Sequence, residues 1–474
     1  METKLRNIGW VSAITAALLA LTLLIVSGGE GQITKALADS AQLTRQLTVT
    51  VYLPVVDRDS DWTYVSPFGI VMYDNIDDAA GLQKMKEAGS KWVTTMLHWS
   101  EIEPTRGALN WSSFDAKAQN AQAAGMDVFV LFTSNPSWAA QLPGGPVTNT
   151  QDLVDFVTLM AERYDCDGVD DAAGSPCVRY WSFYAEPDNG DWSRAKAGKG
   201  YWGHNGAGYA AMLSQVSPAI HAANLQAQVL IGGLAYDGFE EDGGPFVRSF
   251  LTDTLKALND NYAGGAQAYI DAVAFHFYPL SAQLPAEKAL KVRGIMTNHG
   301  VGDLPLLCPE MGYWSASPSS ESEQARRLVQ MYVSGLSVDL KHMSWFAVFD
   351  DGSGSEEHGL FWNHDLNQPK LAYFAYYTMT RELAQARYLR PFLATNAEGH
   401  VFRMPGGREK TVVWATAATA NVTFSYTCLR RVGFESAQAA IYDGDPTWDQ
   451  DNFVNGQIVL QAEQNTPLYV ETCH

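Results

Sequence analysis

From about residue 68 to residue 388, four features recur in order: a short β-rich apolar run, a polar or aromatic loop, an amphipathic segment, and a Gly or Asn stop. Such a repeat predicts parallel strands joined by crossover helices. The runs at 68–72, 92–97, 127–132, 178–183, 228–232, 272–277, 305–309 and 343–349 supply eight strands. Helices are predicted at 78–88 before Gly89, at 114–124 before Gly125, at 321–340 and, last, at 370–388. Eight units in this length fit a closed (β/α)8 TIM barrel better than an open doubly wound sheet, because no Gly-rich phosphate turn follows the first strand. After Pro391 the texture changes to alternating runs at 401–404, 411–414, 422–428, 439–442, 457–460 and 467–471 with turn residues between them. This pattern predicts a small C-terminal antiparallel β-sandwich, so that 61–388 is barrel and 389–474 sandwich.

The N-terminus has its own logic. Lys4 and Arg6 precede a nearly unbroken apolar run from 8 to 26, followed by Ser27-Gly28-Gly29, which matches an export signal. Ala36-Leu37-Ala38 offers a cleavage site, while the length of the run also suits a retained membrane anchor. Residues 1–38 are therefore read as export signal or anchor, and 39–60 as a tether with one β-rich piece at 47–56. The expected location is secreted or extracytoplasmic.

Cysteine usage agrees with an oxidising compartment. Five cysteines leave one over; the expected disulfides are Cys166–Cys177, flanking a polar loop, and Cys428–Cys473 in the C-terminal stretch, with Cys308 a buried thiol. The loop holding Asp165, Asp167 and Asp170 around Gly168 carries calcium-type oxygen ligands but lacks the distal Glu of an EF-hand, so structural Ca²⁺ and a plain acidic turn both stand. With 32 Lys and Arg against 52 Asp and Glu, and no basic run, nucleic acid is excluded as a partner. The 20 Phe, 21 Tyr and 14 Trp favour ligands with faces to stack on, as sugars have.

In such a barrel the chemistry belongs at the C-terminal strand ends. Glu186 follows strand four in Ser182-Phe183-Tyr184-Ala185-Glu186-Pro187-Asp188, and Glu310 follows strand seven in Leu307-Cys308-Pro309-Glu310-Met311-Gly312. Three βα units apart, they face each other over the mouth. Two opposed carboxyls are what glycosidic cleavage needs, one to protonate the leaving oxygen and one to attack or to activate water. The long insertions at 188–208 and 350–368 lie on the same face, where loops set substrate subsites.

These residues resemble those of glycoside hydrolase clan A, the retaining (β/α)8 glycosidases that include cellulase and β-xylosidase types. The likeness lies in Trp99-Ser100-Glu101-Ile102-Glu103-Pro104 with Gly107 and Trp111, Arg179-Tyr180-Trp181 leading to Glu186-Pro187-Asp188, His276-Phe277-Tyr278-Pro279, Pro309-Glu310-Met311-Gly312-Tyr313, and Trp345. The resemblance implies Glu186 as acid/base, Glu310 as nucleophile, His276 and Tyr278 in the site, and Trp345, Trp314, Trp99 and Trp138 on the sugar-binding surface. Tyr278 would donate to Glu310 and keep it ionised, while burial and the charge of Glu310 would keep Glu186 protonated. Two residues depart from the clan: Ala185 stands where an Asn contacts the sugar 2-hydroxyl, and Thr94 stands where an Arg neighbours the nucleophile. The implied activity is retaining hydrolysis of a β-linked oligo- or polysaccharide, with no cofactor required. The alternative is a carbohydrate-binding or scaffold protein on an impaired barrel. An aldolase would need a strand-end Lys or a phosphate loop, and neither is present.

Overall fold

The computed structural model describes residues 66–474 apart from 237–243, 280–281, 317–318, 351–356, 435–436 and 474. The export or anchor segment 1–38 and the tether 39–60, with its β-rich 47–56, lie outside the described residues. Among the described residues, no helix is long and apolar enough to cross a membrane.

Eight parallel strands close into a barrel in sequence order: β1 (Phe68–Val71), β2 (Trp92–His98), β3 (Asp127–Thr133), β4 (Tyr180–Phe183), β5 (Gln228–Leu234), β6 (Ala272–Phe277), β7 (Leu306–Met311) and β8 (Met343–Trp345). Closure sets Gly69 of β1 opposite Ser344 of β8. The strands are almost wholly buried, because one face lines the barrel interior and the other meets the helices. Trp92, Phe129, Leu131, Tyr180, Ala185 and Leu307 belong to the smaller of the barrel's two buried apolar clusters, and the larger cluster includes residues of the surrounding helices. Helix Ser112–Ala124 ends as its sequence demands, with Gly125 taking a left-handed φ of 71°.

The last helix is shorter than predicted. It covers Leu371–Glu382, Gln385 turns the chain at a φ of 59°, and β9 (Arg387–Ala394) already belongs to the C-terminal sheet. Tyr388 packs on Phe402 at 5.9 Å there instead of extending the helix. β10 (Ala397–Arg403), β11 (Glu409–Ala415), β13 (Cys428–Gly433), β14 (Gln438–Tyr442) and β16 (Leu468–Thr472) join β9 in a six-stranded antiparallel sheet of order β14-β13-β16-β11-β10-β9. β12 (Thr419–Phe424) pairs with β15 (Ile458–Glu463) in a second sheet. The run read as one strand at 422–428 therefore divides, its first half in one sheet and Cys428 in the other. Val413, Val422, Phe424, Leu429, Ile441 and Leu460 fill a common core.

The large sheet also covers the barrel's flank. Phe402, Met404, Val412, Trp414 and Tyr469 join the barrel's own core, and buried Glu382 at the end of the last helix accepts from Lys410 and from both terminal nitrogens of Arg430 at 2.7 and 2.9 Å. Both expected disulfides form, with Cα–Cα distances of 5.0 Å for Cys166–Cys177 and 5.4 Å for Cys428–Cys473. Cys308 is buried, and burial pushes its thiol up to about 12, so it is inert.

Candidate active site

Glu186 is aimed by an unusual backbone. Just past β4, Tyr184 and Glu186 both adopt left-handed conformations, with φ of 62° and 55°, which cost about 1–3 kcal/mol each for residues with a Cβ. Neighbouring elements hold the bend. The Tyr184 hydroxyl donates to Asn135 Oδ1 at 2.9 Å, its amide donates to the Phe132 carbonyl, and the Gly200 amide donates to the Ala185 carbonyl at 2.8 Å. Buried Asp188 accepts the amides of Ala235 and Tyr236 at 3.1 and 2.7 Å, tying the end of β4 to that of β5. Burial outweighs these contacts and pushes its carboxyl up to about 6.

Two consecutive glycines on β5 make room for the site. A Cβ on Gly232 would stand 2.0 Å from the Tyr184 carbonyl oxygen, and one on Gly233 would stand 2.0 Å from His276 Nε2. His276, next to last in β6, stands opposite Glu310 on β7, and buried Lys288 donates to its carbonyl at 2.8 Å. The His276 Nδ1 atom lies between the carboxylates, 3.5 Å from Glu186 Oε1 and 3.2 Å from Glu310 Oε2. The Tyr278 hydroxyl donates to Glu310 Oε2 at 2.9 Å. Oxygens of Glu186 and Glu310 and the His276 nitrogen all fall within 4.8 Å of one another.

The electrostatics reverse the expected assignment of the proton. Burial raises Glu186, but His276, Lys199 and Arg194 outweigh it and hold the carboxyl down at about 2. Arg194, from the short helix Trp192–Lys196 after β4, is ion-paired directly with Glu186 Oε2. Glu310 is pushed up to about 8 by burial, and its Oε1 has no hydrogen-bond partner among the described residues. Thr94, in the place of the clan's Arg, donates to Ser344 Oγ at 3.0 Å beside His342, which burial keeps neutral, so no cation offsets the burial of Glu310 there. His276 is also lowered by burial and is neutral. Burial raises Glu310 while the cations beside Glu186 lower it, so the surroundings favour a shared proton on Glu310 over one on Glu186.

The aromatic residues divide. Trp314 is partly exposed and stacks on Tyr313 at 4.8 Å, and Trp138 is partly exposed with Arg106 4.4 Å from its ring centre. Trp345 is fully buried and donates to the His358 carbonyl at 2.9 Å, which places it beneath the surface. Trp99 offers sugar no face: it is fully buried, stacks on Phe156 at 5.1 Å and donates to Glu103 at 2.8 Å, so its work is packing. Ala185, also buried, packs with the barrel-interior residues. In the acidic loop Asp165 and Asp167 converge with Asp171, whereas Asp170, at a φ of 53°, is not in the group. Several of these carboxylates cap the loop's own amides, as Asp171 does for Gly168 at 2.9 Å. Sequence reasoning had no signal for Arg194 beyond its place in a long loop, and none for Gly233 or Lys288.

A profile of the family 42 glycoside hydrolases, described as β-galactosidase, matches residues 75–143. That stretch holds β2 and β3 but neither carboxylate. No curated relative matches the chain. Among solved structures, a family 39 glycoside hydrolase from Bacteroides cellulosilyticus WH2 superposes with a TM-score of 0.64 at 18% identity, covering 86% of this chain and 81% of that one. The catalytic domain of family 30 xylanase C from Talaromyces cellulolyticus gives 0.58 at 13% identity, over 87% and 98% of the two chains. A family 39 β-xylosidase from Caulobacter crescentus gives 0.52 at 14%, over 87% and 98%. The fold is that of these barrel glycosidases. The likeness read from the strand-end motifs is thus accompanied by a likeness of fold.

Proposed function

We propose that the chain is a retaining glycoside hydrolase acting on a β-linked glycan, with Glu186 as acid/base and Glu310 as nucleophile. The observation that carries this reading is that an oxygen of Glu186 lies within 4.8 Å of an oxygen of Glu310 across the barrel mouth. Retaining enzymes hold their carboxyls about 5–5.5 Å apart, whereas inverting ones leave about 6.5–9.5 Å for a water. Glu310 would attack the anomeric carbon while Glu186 gives its proton to the departing oxygen. Glu186 would then take a proton from the water that hydrolyses the glycosyl ester. The pair holds the one proton this needs, and substrate has to move it from Glu310 to Glu186, past His276 Nδ1. Trp314 and Trp138, each partly exposed, are left as the sugar-facing aromatics. The protein would work outside the cytoplasm, as the two disulfides and the apolar N-terminus suggest, released or anchored by 1–38. Structural Ca²⁺ at Asp165, Asp167 and Asp171 remains a proposal of the same kind.

The test is hydrolysis of aryl β-glycosides and β-glycans by the full chain, with Glu186→Gln and Glu310→Gln beside it and the product anomer read by NMR. Turnover with retention, lost in both variants, is expected; inversion would overturn the double-displacement reading. The Arg194 contact and Ala185 favour a second reading, a sugar-binding barrel without turnover, which predicts glycan binding and no hydrolysis on any substrate.

A further inference from the structure

This inference rests on Glu186 being the acid and concerns the cation that occupies it. The segment after β4 folds back over the strand end. The Trp202 amide donates to the Pro187 carbonyl at 3.0 Å, and Thr133 Oγ1 donates to the Gly198 carbonyl at 2.6 Å. Gly200 permits this closeness, since a Cβ there would lie 2.7 Å from Pro187 Cα and 2.8 Å from the Glu186 carbonyl oxygen. The segment is therefore held against the acid as a fixed part of the site. Asp191 caps its short helix by accepting the Ser193 amide at 2.6 Å and so sets the direction of Arg194.

Arg194 uses its guanidinium incompletely. Its Nη2 donates to Glu186 Oε2, its Cζ lies 5.0 Å from the ring centre of Phe246, and its Nε is buried with no hydrogen-bond partner among the described residues. The side chain is 36% exposed, open to something arriving from outside. Lys199, on the same segment, places a second positive charge within reach of Glu186 and His276. A general acid must carry a proton when the glycosidic bond breaks, whereas an arginine on the carboxylate stabilises the form without one. A neutral sugar offers this cation no competing partner. An anion does, because the Nε and Nη2 edge of a guanidinium is a fork that fits a carboxylate or sulfate in two parallel hydrogen bonds.

We infer that Arg194 forms a subsite on the leaving-group side for an anionic substituent of the glycan, and that its binding takes Arg194 off Glu186. The freed carboxylate then takes the proton that Glu310 holds, which leaves Glu310 ionised for attack, and delivers it to the glycosidic oxygen. The substituent is an isolated anion, since a chain with 20 more acidic than basic charges repels a dense polyanion. Arg194 thereby sets specificity: it keeps the acid unprotonated until a substrate of the right charge replaces it.

The experiment compares three aryl β-glycosides of the same sugar, with 4-carboxyphenyl, 4-sulfophenyl and 4-(methoxycarbonyl)phenyl leaving groups, on wild type, Arg194→Gln and Arg194→Lys. The methyl ester is the better leaving group than the free acid. A wild-type kcat/KM that favours the carboxylate by about tenfold or more is thus the expected sign of recognition. Arg194→Gln should abolish that preference and raise kcat/KM on the ester, while Arg194→Lys keeps part of it. The sulfonate arm tells whether the site takes both anions or carboxylate alone, and either result supports the subsite. A ratio of acid to ester equal in wild type and Arg194→Gln, or equal loss on all three substrates, overturns it. Absence of turnover on every probe would instead overturn the reading of Glu186 as an acid, and this inference with it.

Discussion

Tyr278→Phe removes one hydroxyl from the site and leaves its packing intact, since the ring rests on His358 at 5.4 Å and Phe346 at 5.9 Å. The lost contact is the 2.9 Å hydrogen bond to Glu310 Oε2. Oε1 of the same carboxyl has no partner among the described residues, so the donor left nearby is His276 Nδ1 at 3.2 Å. A hydrogen bond to a charged group contributes about 1.5–3 kcal/mol, or about 1–2 pKa units. The shift is upward from a carboxyl already near 8, because the ionised form loses the donor. Glu310 then holds the shared proton more tightly, and the productive state, with that proton on Glu186, becomes rarer by about 10–100-fold. The assay is kcat/KM on an aryl β-glycoside across about pH 4 to 10. The plateau should fall by about 10–100-fold while the basic limb, which marks loss of the pair's last proton, moves up by about 1–2 units. A lower plateau with an unmoved basic limb would refute the electrostatic role and leave Tyr278 a substrate contact. A shift in the acidic limb alone would show that Glu310 is ionised in the resting protein.

Three further outcomes follow from the geometry. Gly233→Ala drives a methyl to 2.0 Å from His276 Nε2, so it should cost about 1–3 kcal/mol in urea unfolding and most of the turnover; wild-type activity would mean that His276 has another place to go. Lys370→Met leaves Asp350, its 2.7 Å partner, buried without a cation and should cost about 3–5 kcal/mol, which chemical denaturation measures and a loss under about 1 kcal/mol would contradict. Glu310 sits above its unfolded value of 4.5, so its share of stability is fully present below that pH. It is lost as pH rises through about 8, by up to ~5 kcal/mol, and Glu310→Gln should flatten that part of the stability profile.

The eight strands were legible because each carries its own β-rich run and its own stop, and a closed barrel takes them in chain order. Glu186 and Glu310 were legible for a related reason, since a residue at the C-terminal end of a barrel strand stands at the mouth, whereas His276 and Tyr278 were legible through the family resemblance. The tryptophans were harder. Trp99 belongs to a recognisable motif, yet motif membership does not say whether an indole meets sugar or the helix layer, and Phe156, from a distant helix, decides that. The substitution of Asp171 for Asp170 in the acidic cluster has the same origin, a backbone turn that spacing alone does not reveal.

The sequence by itself determined the order of the elements, the strand ends that hold the carboxyls and the cysteine pairs, since these follow from local pattern, chain topology and spacing. Only the tertiary structure decided which way each carboxyl is pushed by its neighbours. That depends on which charges lie within a few ångströms in a buried site. Arg194 on Glu186, Thr94 turned to Ser344, and His342 kept neutral are meetings between segments far apart in the chain or carried on a folded-back loop. Burial magnifies each of them, so the same residues that place the chemistry by their strand positions receive its direction from their neighbours.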